Sequence, residues 1–389
     1  MKNKEVWLEA THLFKSPTRN KSGIGNYTEN IIKGIIDQNK CKDLNFSVVA
    51  NLFFTNKKIY IAGIKSTDYS YLFTRFIPGK VWNLLLKKKL MPPIEMLHLK
   101  RPDLILNFDF TAVPTLNNTK VITVIHDLAF LKYPMFVEAK NLKRLKIFVP
   151  KAIEKSQIIV AISKATKQDL IKAYGIRPDR IEVVYCAVDR MVYKPTEITR
   201  VVKSRYNLPE KYMLYLGNIE PRKNILGIIS AYEKLPKKIT QRYKLVLAGG
   251  KGWNDIAIKD KINNSPLRKD IILTGYVEQK DIPAVYSAAT VFLFPSFYEG
   301  FGLPIIESMA CGTPVITADN SSLREVGGDA ALYVRTGDDE QLSKKITELV
   351  EDKKLRDYLA TKGQERANLF SWEKSSDAML KVISKALEQ

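Results

Sequence analysis

Short apolar, β-branched runs alternate with longer stretches of helical periodicity along the chain, and this alternation constrains the fold more than any other feature. Residues 6–8, 46–50, 104–106, 121–125 and 158–162 read as buried strands, with 181–184 as a further short one. After Pro195 the pattern restarts at 213–216, 245–248, 271–273, 291–294 and 315–317. Apolar runs of this length, separated by helical segments, belong to parallel sheets covered on both faces. Several end at Gly or Asp just before a helix, as the carboxyl edges of doubly wound sheets do. The expected class is α/β, with two Rossmann-like, doubly wound domains facing a central cleft. The expected boundaries are 1–194, 195–370, and a C-terminal helix within 371–389 that packs back toward the first domain. At 389 residues the chain is long enough for two such domains.

Composition removes several alternatives. No apolar run reaches the ~18 residues of a membrane-spanning helix. The opening MKNKEVWLEA lacks the apolar core of a secretory signal, so a cytoplasmic location is expected. The three cysteines, Cys41, Cys186 and Cys311, are far apart and form no disulfide framework or zinc module. His12, His98 and His126 are the three histidines; the first two fit no motif and read as structural or surface residues.

Charge is unevenly spread. Residues 1–200 hold 34 Lys and Arg against 17 Asp and Glu, out of 62 and 41 in the chain. An asymmetric surplus points to an anionic partner for the first half, with nucleic acid, an anionic membrane surface or a pyrophosphate-bearing acceptor as the readings. Lys87, Lys88 and Lys89 beside Trp82, Leu84, Leu85 and Leu86 favour a peripheral membrane contact over nucleic acid. A solvated basic helix with its apolar side in the core is the plainer alternative.

The strongest local signal runs from Ser296 to Thr317, SFYEGFGLPIIESMACGTPVIT. It reads as strand end, Gly-rich loop, short helix, stop and strand. Pro304 suits the first helical position, and Gly312 with Pro314 ends the helix. Gly300 and Gly302 admit close approach of a ligand, while free N–H groups at the helix start suit an anion such as a diphosphate. Glu299 and Glu307 would flank that site as acceptor-only carboxylates, each able to hold hydroxyls. Arg222 and Lys223 follow the first strand of the second domain and would neutralise a diphosphate leaving group. Gly23 and Gly25 lie between the first strand and a helix beginning near Asn26, without the third glycine of a dinucleotide fingerprint. His126 and Asp127 end the strongest strand of the first domain, where the imidazole could donate or accept a hydrogen bond.

The Glu299/Glu307 spacing inside EGFGLPIIE, followed by SMACGTPVI, resembles the signature of the retaining GT-B glycosyltransferases of the large group-4 class. SGIGNYTENI, VITVIHDLAFLKYP, IIVAISKATKQDLIKAYGI, LYLGNIEPRKNI, LVLAGGKGW, ILTGYV and FSWEKS occur in the same order over essentially the full chain. HDLAFLKYP and GNIEPRKN are most similar to bacterial mannosyltransferases of surface-polysaccharide assembly. The resemblance implies catalytic roles for His126 and Glu299. It implies donor contacts from Gly23, Gly25, Arg222, Lys223, Gly300, Phe301, Gly302, Leu303 and Glu307. One departure is Asn218, where many members carry arginine. No DxD triplet is present, so no metal and no other cofactor is expected; a nucleotide-diphosphate sugar is the co-substrate.

The expected function is retaining transfer of a hexose, mannose from GDP-mannose, onto a glycan or lipid-linked glycan. A UDP-glucose or UDP-N-acetylglucosamine donor is the alternative, as is a non-catalytic basic binding protein of the same fold. An epimerase would not need the Glu299/Glu307 string, and a phosphorylase would need a pyridoxal lysine and a longer chain.

Overall fold

The computed structural model describes residues 4–14, 23–39, 43–51, 70–74, 77–88, 90–98, 101–110, 112–250, 252 and 255–389. The chain divides into two compact units, Met1–Cys186 with Trp372–Gln389, and Ala187–Ser371. Residues 189–195 thus belong to the second unit, where Tyr193 is buried and accepts a hydrogen bond from Gln279 Nε2 at 2.7 Å.

Among the described residues, the first unit holds a seven-stranded parallel sheet: β1 (Lys4–Glu9), β2 (Leu44–Asn51), β3 (Ser70–Thr74), β4 (Leu104–Asn107), β5 (Lys120–Ile125), β6 (Ile158–Ala161) and β7 (Ile181–Val183). Its order is β3-β2-β1-β4-β5-β6-β7, so the winding reverses between β1 and β4. Trp7 of β1 sits opposite Ser47 of β2 and Ile105 of β4. Apolar side chains fill both faces of this sheet. Trp7, Ile105, Met91 and Phe148 form one cluster, and Ile125, Phe130, Val149 and Leu170 the other. Burial on both faces explains why these strands appear as continuous apolar runs rather than alternating ones.

Trp82 corrects the sequence expectation. It is buried in the Trp7 cluster, not presented beside the lysines. On the helix Gly79–Lys87 the exposed residues are instead Lys80, Val81, Leu84 and Lys87, followed by Lys88 and Leu90; Lys89 lies outside the described residues. The helical period turns the indole inward because Trp82 and Leu86 share one face.

The helix Trp372–Glu388 completes the first unit by lying against the helix Gly23–Gln38. Met379, Val382, Ile383 and Ala386 are its buried stripe. The two backbones approach closely at Gly34, where a Cβ would run into the Ser376 side chain.

The second unit holds a six-stranded parallel sheet: β8 (Tyr212–Leu216), β9 (Lys244–Ala248), β10 (Ile271–Gly275), β11 (Val291–Phe294), β12 (Val315–Ala318) and β13 (Ala331–Val334). The order β10-β9-β8-β11-β12-β13 reverses between β8 and β11. Tyr215 stacks on Phe294 across that reversal, with ring centroids 6.4 Å apart. At the carboxyl edge, Gly249 has φ +146° and a Cβ there would strike the Gly217 carbonyl, so the β8 and β9 ends meet backbone to backbone.

β3 and β13 have no counterpart in the sequence reading. Both are edge strands, paired on one side only, and both are short, SYLFT and ALYV, with the two middle residues of the latter only half-buried.

Candidate functional site

Ligands of doubly wound sheets bind beyond the carboxyl ends of the strands where the winding reverses. In the second unit that point lies between the segments following β8 and β11. After β8 the chain makes a tight 3₁₀ turn, Pro221–Lys223, which ends at Asn224 in the left-handed region. Asn224 Oδ1 accepts from Gly227 N at 3.3 Å and caps the helix Ile225–Glu233. This turn fixes the directions of Arg222 and Lys223. Phe297 N donates to the Arg222 carbonyl at 2.9 Å and ties the β11 loop to it.

Four charged side chains meet here. Glu299 Oε1 lies 2.6 Å from Lys223 Nζ, and Oε2 lies 2.8 Å from Arg222 Nη1. Arg222 Nη2 pairs with Glu220 at 2.8 Å, and its Nη1 also donates to the Tyr298 carbonyl at 2.6 Å. Lys223 Nζ stands 5.1 Å over the Phe294 ring. Burial alone would raise the Glu299 carboxyl, but Arg222 and Lys223 together outweigh it and hold it at about 2. The cluster balances two cations against two carboxylates. Glu299 is thus paired with the same two cations that the sequence reading offers to a diphosphate.

The Gly-rich loop is shaped from behind. Ser321 Oγ and Ser322 Oγ donate to the Glu299 carbonyl at 2.5 and 2.9 Å, and Ser322 Oγ also reaches the Phe301 carbonyl at 2.8 Å. Gly302 has φ +104°, and a Cβ on it would come within 2.9 Å of Leu323 Cδ2. Only glycine fits that position without strain. Leu303 is the first residue of the helix Leu303–Ala310, so Pro304 takes the second position rather than the first; it still precedes the first intrahelical donor. The Phe301 ring is buried edge-on against Phe370 at 5.5 Å. The Phe301 ring is therefore part of the interior of this unit.

Glu307 lies one turn further along this helix. Tyr286 Oη donates to its Oε2 at 3.2 Å, and the Tyr193 phenol also favours its ionised form. Burial pushes this carboxyl up to about 7 against the pull of the two phenols. Among the described residues no cation is paired with it as Arg222 and Lys223 are with Glu299.

In the first unit, Gly23 and Gly25 belong to the opening turn of the helix Gly23–Gln38, not to a loop before it. Tyr27, Ile31, Ile32, Ile35 and Ile36 form the buried face. His126 follows β5. Its Nε2 lies 2.8 Å from the Phe108 carbonyl, and Tyr27 and Phe110 meet the ring edge-on at 5.4 and 5.8 Å. A carbonyl only accepts, so Nε2 carries the proton. Burial lowers the imidazole's affinity for a second proton, despite Phe108, Asp109 and Asp127. Nδ1 is then an acceptor only, which narrows the donor-or-acceptor reading. Asp127 Oδ1 accepts from Ala129 N at 2.9 Å and opens the next short helix. His98 bonds Thr74 Oγ1 at 3.1 Å and meets Trp7 edge-on.

Sequence reasoning missed Glu220, Ser321, Ser322, Tyr193, Tyr286 and Gln279. Glu220 stands two residues before Arg222 in IEPRK and was visible there; the others come from distant segments and leave no local signal.

Two doubly wound units in sequence match the architecture of the GT-B glycosyltransferases. Sucrose-phosphate synthase from Thermosynechococcus elongatus superposes with a TM-score of 0.75 at 20 % identity, covering 98 % of this chain and 99 % of that one. Anabaena HepE in complex with UDP and glucose gives 0.70 at 18 %, covering 98 % and 100 %. Residues 199–366 match Glycosyl transferases group 1, and residues 65–191 match Glycosyltransferase Family 4. O-antigen chain mannosyltransferase B of Escherichia coli is 33 % identical over 256 residues, which is 65 % of this chain and 67 % of that protein. The Escherichia coli serotype-specific mannosyltransferase WbdA is 28 % identical over 275 residues, 69 % of this chain but 34 % of that longer protein. The chain belongs to the group 1/family 4 glycosyltransferases of GT-B fold, related to bacterial surface-polysaccharide mannosyltransferases.

Proposed function

We propose that Arg222 and Lys223 hold the diphosphate of a nucleotide-sugar donor, that Glu299 turns from these cations to the hydroxyls of the hexose, and that Glu307 holds the ribose. The observation that carries this reading is the convergence of two cations, a carboxylate and a helix start at the winding reversal of the second sheet. As the C1–O bond to phosphate breaks, negative charge grows on the leaving diphosphate. Arg222, Lys223 and the N–H groups of the loop and helix start are donors suited to that charge. A new bond forms between C1 and the acceptor oxygen on the same face, and the acceptor proton passes to the departing phosphate oxygen. That course gives retention. His126, with Nδ1 free to accept, takes a hydrogen bond from a donor-sugar hydroxyl. Gly23, Gly25, Gly300, Phe301, Gly302 and Leu303 contribute backbone, where side chains would obstruct the phosphates. With side-chain cations in this position, no metal is required.

Two donors are distinguished. A UDP-linked hexose is the first reading, supported by the likeness to a fold that binds UDP and glucose. GDP-mannose is the second, supported by the mannosyltransferase relatives. The acceptor is a glycan, lipid-linked and met at the cytoplasmic face of a membrane. Among the described residues, no helix is long and apolar enough to cross a membrane. The exposed Lys80, Val81, Leu84, Lys87, Lys88 and Leu90 supply the cations and apolar groups of a peripheral contact. Purified protein is tested with UDP-glucose, UDP-N-acetylglucosamine and GDP-mannose against oligosaccharide and polyprenyl-linked acceptors, with products read by mass. A one-hexose mass increase from one donor supports the reading. No transfer and no donor breakdown with any of them contradicts it.

A further inference from the structure

Glu307 is surrounded by groups that the donor reading does not use. Tyr193 comes from the segment opening the second unit, Tyr286 from the helix Ile282–Ser287, and Gln279 from the turn after β10. Tyr193 Oη accepts from Gln279 Nε2 at 2.7 Å. A phenol has one hydrogen, so with its oxygen accepting from Gln279 that hydrogen is left for Glu307, whose ionised form the phenol favours. Tyr286 gives its hydrogen to Glu307 Oε2 at 3.2 Å.

The supports are themselves held. Thr313 Oγ1 donates to the Tyr286 carbonyl at 2.6 Å, and Ser287 Oγ to the Cys311 carbonyl at 3.3 Å, which lock the two helices together. Tyr286 is fully buried and edge-on to Phe292 at 5.2 Å. Tyr193 N donates to the Asp189 carbonyl at 2.7 Å, which closes the turn beneath its ring.

We propose that Gln279, Tyr193 and Tyr286 form a hydrogen-bonded support that orients Glu307 and keeps it in the ionised form that a ribose diol requires. This inference rests on reading Glu307 as the ribose-holding carboxylate. An ionised carboxylate offers about four lone-pair sites. The two phenols take two, and the remaining two match the vicinal hydroxyls of a ribose. A proton on Glu307 would fill one of them.

Both phenols donate to the charged form and so favour it, while burial opposes it and leaves the carboxyl at about 7. The other titratable neighbour is Cys311, whose thiol burial pushes up to about 12, with Glu307 adding to the rise and Arg190 opposing it. The helix Lys353–Ala367 packs on the Glu307 helix through Gly363 against Met309. Glu307 thus ionises within the neutral range, where loss of one hydrogen bond is enough to change its state.

The test is calorimetric titration of UDP-glucose and GDP-mannose from pH 6 to 8.5. Their diphosphates are diesters and add no ionisation of their own in that range. Affinity of the wild type is expected to rise as pH climbs through about 7 and then level off. In Tyr193→Phe and Tyr286→Phe the midpoint moves up by roughly half to one pH unit, and binding at pH 7 weakens by about three- to tenfold. Both variants recover most of the wild-type affinity at pH 8.5, and Gln279→Ala shifts the midpoint the same way by less. Glu307→Gln binds weakly with no pH dependence in this window. Tyrosine variants that weaken binding equally at every pH, or keep the wild-type profile while Glu307→Gln is impaired, overturn the proposed support and leave the ribose reading standing. Wild-type affinity in both Glu307→Gln and Glu307→Ala removes the ribose reading itself.

Discussion

Glu299 and Lys223 stand 76 residues apart in sequence and meet at 2.6 Å beyond the carboxyl ends of β11 and β8. The proposed sugar-holding carboxylate and the proposed phosphate-holding ammonium are each other's partners when no donor is bound. The same carboxylate bridges Arg222 as well, so in the proposed reading a donor would have to compete with two ion pairs, not one.

Removing one member of this cluster leaves its partners buried and short of a counter-charge. Lys223→Met is expected to lower unfolding stability by about 1–3 kcal/mol, since Arg222 still covers part of the Glu299 charge. Lys223→Met/Glu299→Gln should regain part of that loss without regaining turnover. Urea denaturation of the three proteins checks this; equal midpoints in all would contradict the energetic account.

Glu299 also makes stability depend on acid pH. Its carboxyl is held at about 2, below the ordinary 4.5, so its ionised form stabilises the fold fully above 4.5 and ceases to do so as pH falls toward 2. The wild type should lose more stability than Glu299→Gln between pH 5 and about 3. Parallel denaturant melts across that window read the difference directly.

For His126 the expected outcome is an absence of titration in turnover. With Nε2 donating to Phe108 and burial lowering its basicity, the imidazole stays neutral at the ordinary histidine value of 6.5. At saturating donor, turnover should show no acid limb at that value. His126→Asn, which keeps an acceptor near the Nδ1 position, should retain more turnover than His126→Gln. The reverse order would place the useful group at Nε2.

Liposome sedimentation tests the proposed membrane face. Anionic vesicles should carry the protein down and neutral ones should not, with binding lost as salt shortens the Debye length to ~3 Å at 1 M. Lys87→Glu/Lys88→Glu should release the protein while nucleotide affinity stays unchanged. Trp82→Phe should affect stability rather than membrane binding, because Trp82 is part of the core.

The two-sheet plan was legible because most strands are covered on both faces and write themselves as unbroken apolar runs, as in residues 291–294. β3 and β13 were not, although the edge strands β7 and β10 were, so position at an edge does not by itself hide a strand. The loop-helix string around Glu299 and Glu307 was legible because Gly302 and Pro304 leave their marks in sequence. What the two carboxylates face was not. Glu299 is ionised by Arg222 and Lys223, Glu307 is raised by burial among Tyr193 and Tyr286, and these partners come from other segments of the chain. Trp82 misled for a similar reason: its neighbours in sequence are lysines, but its neighbours in space are Trp7 and Ile105.

The most direct test of the central claim is release of nucleotide diphosphate from UDP-glucose and GDP-mannose in EDTA, with wild type, Lys223→Met, Arg222→Ala and Glu299→Gln side by side. The account predicts metal-independent release from one donor by the wild type. Lys223→Met and Arg222→Ala should lower it by at least about tenfold each, as loss of a charged hydrogen bond to the leaving group. Glu299→Gln should slow release with little change in donor affinity. Undiminished release by all three variants, or release that appears only when a divalent cation is added, would contradict it.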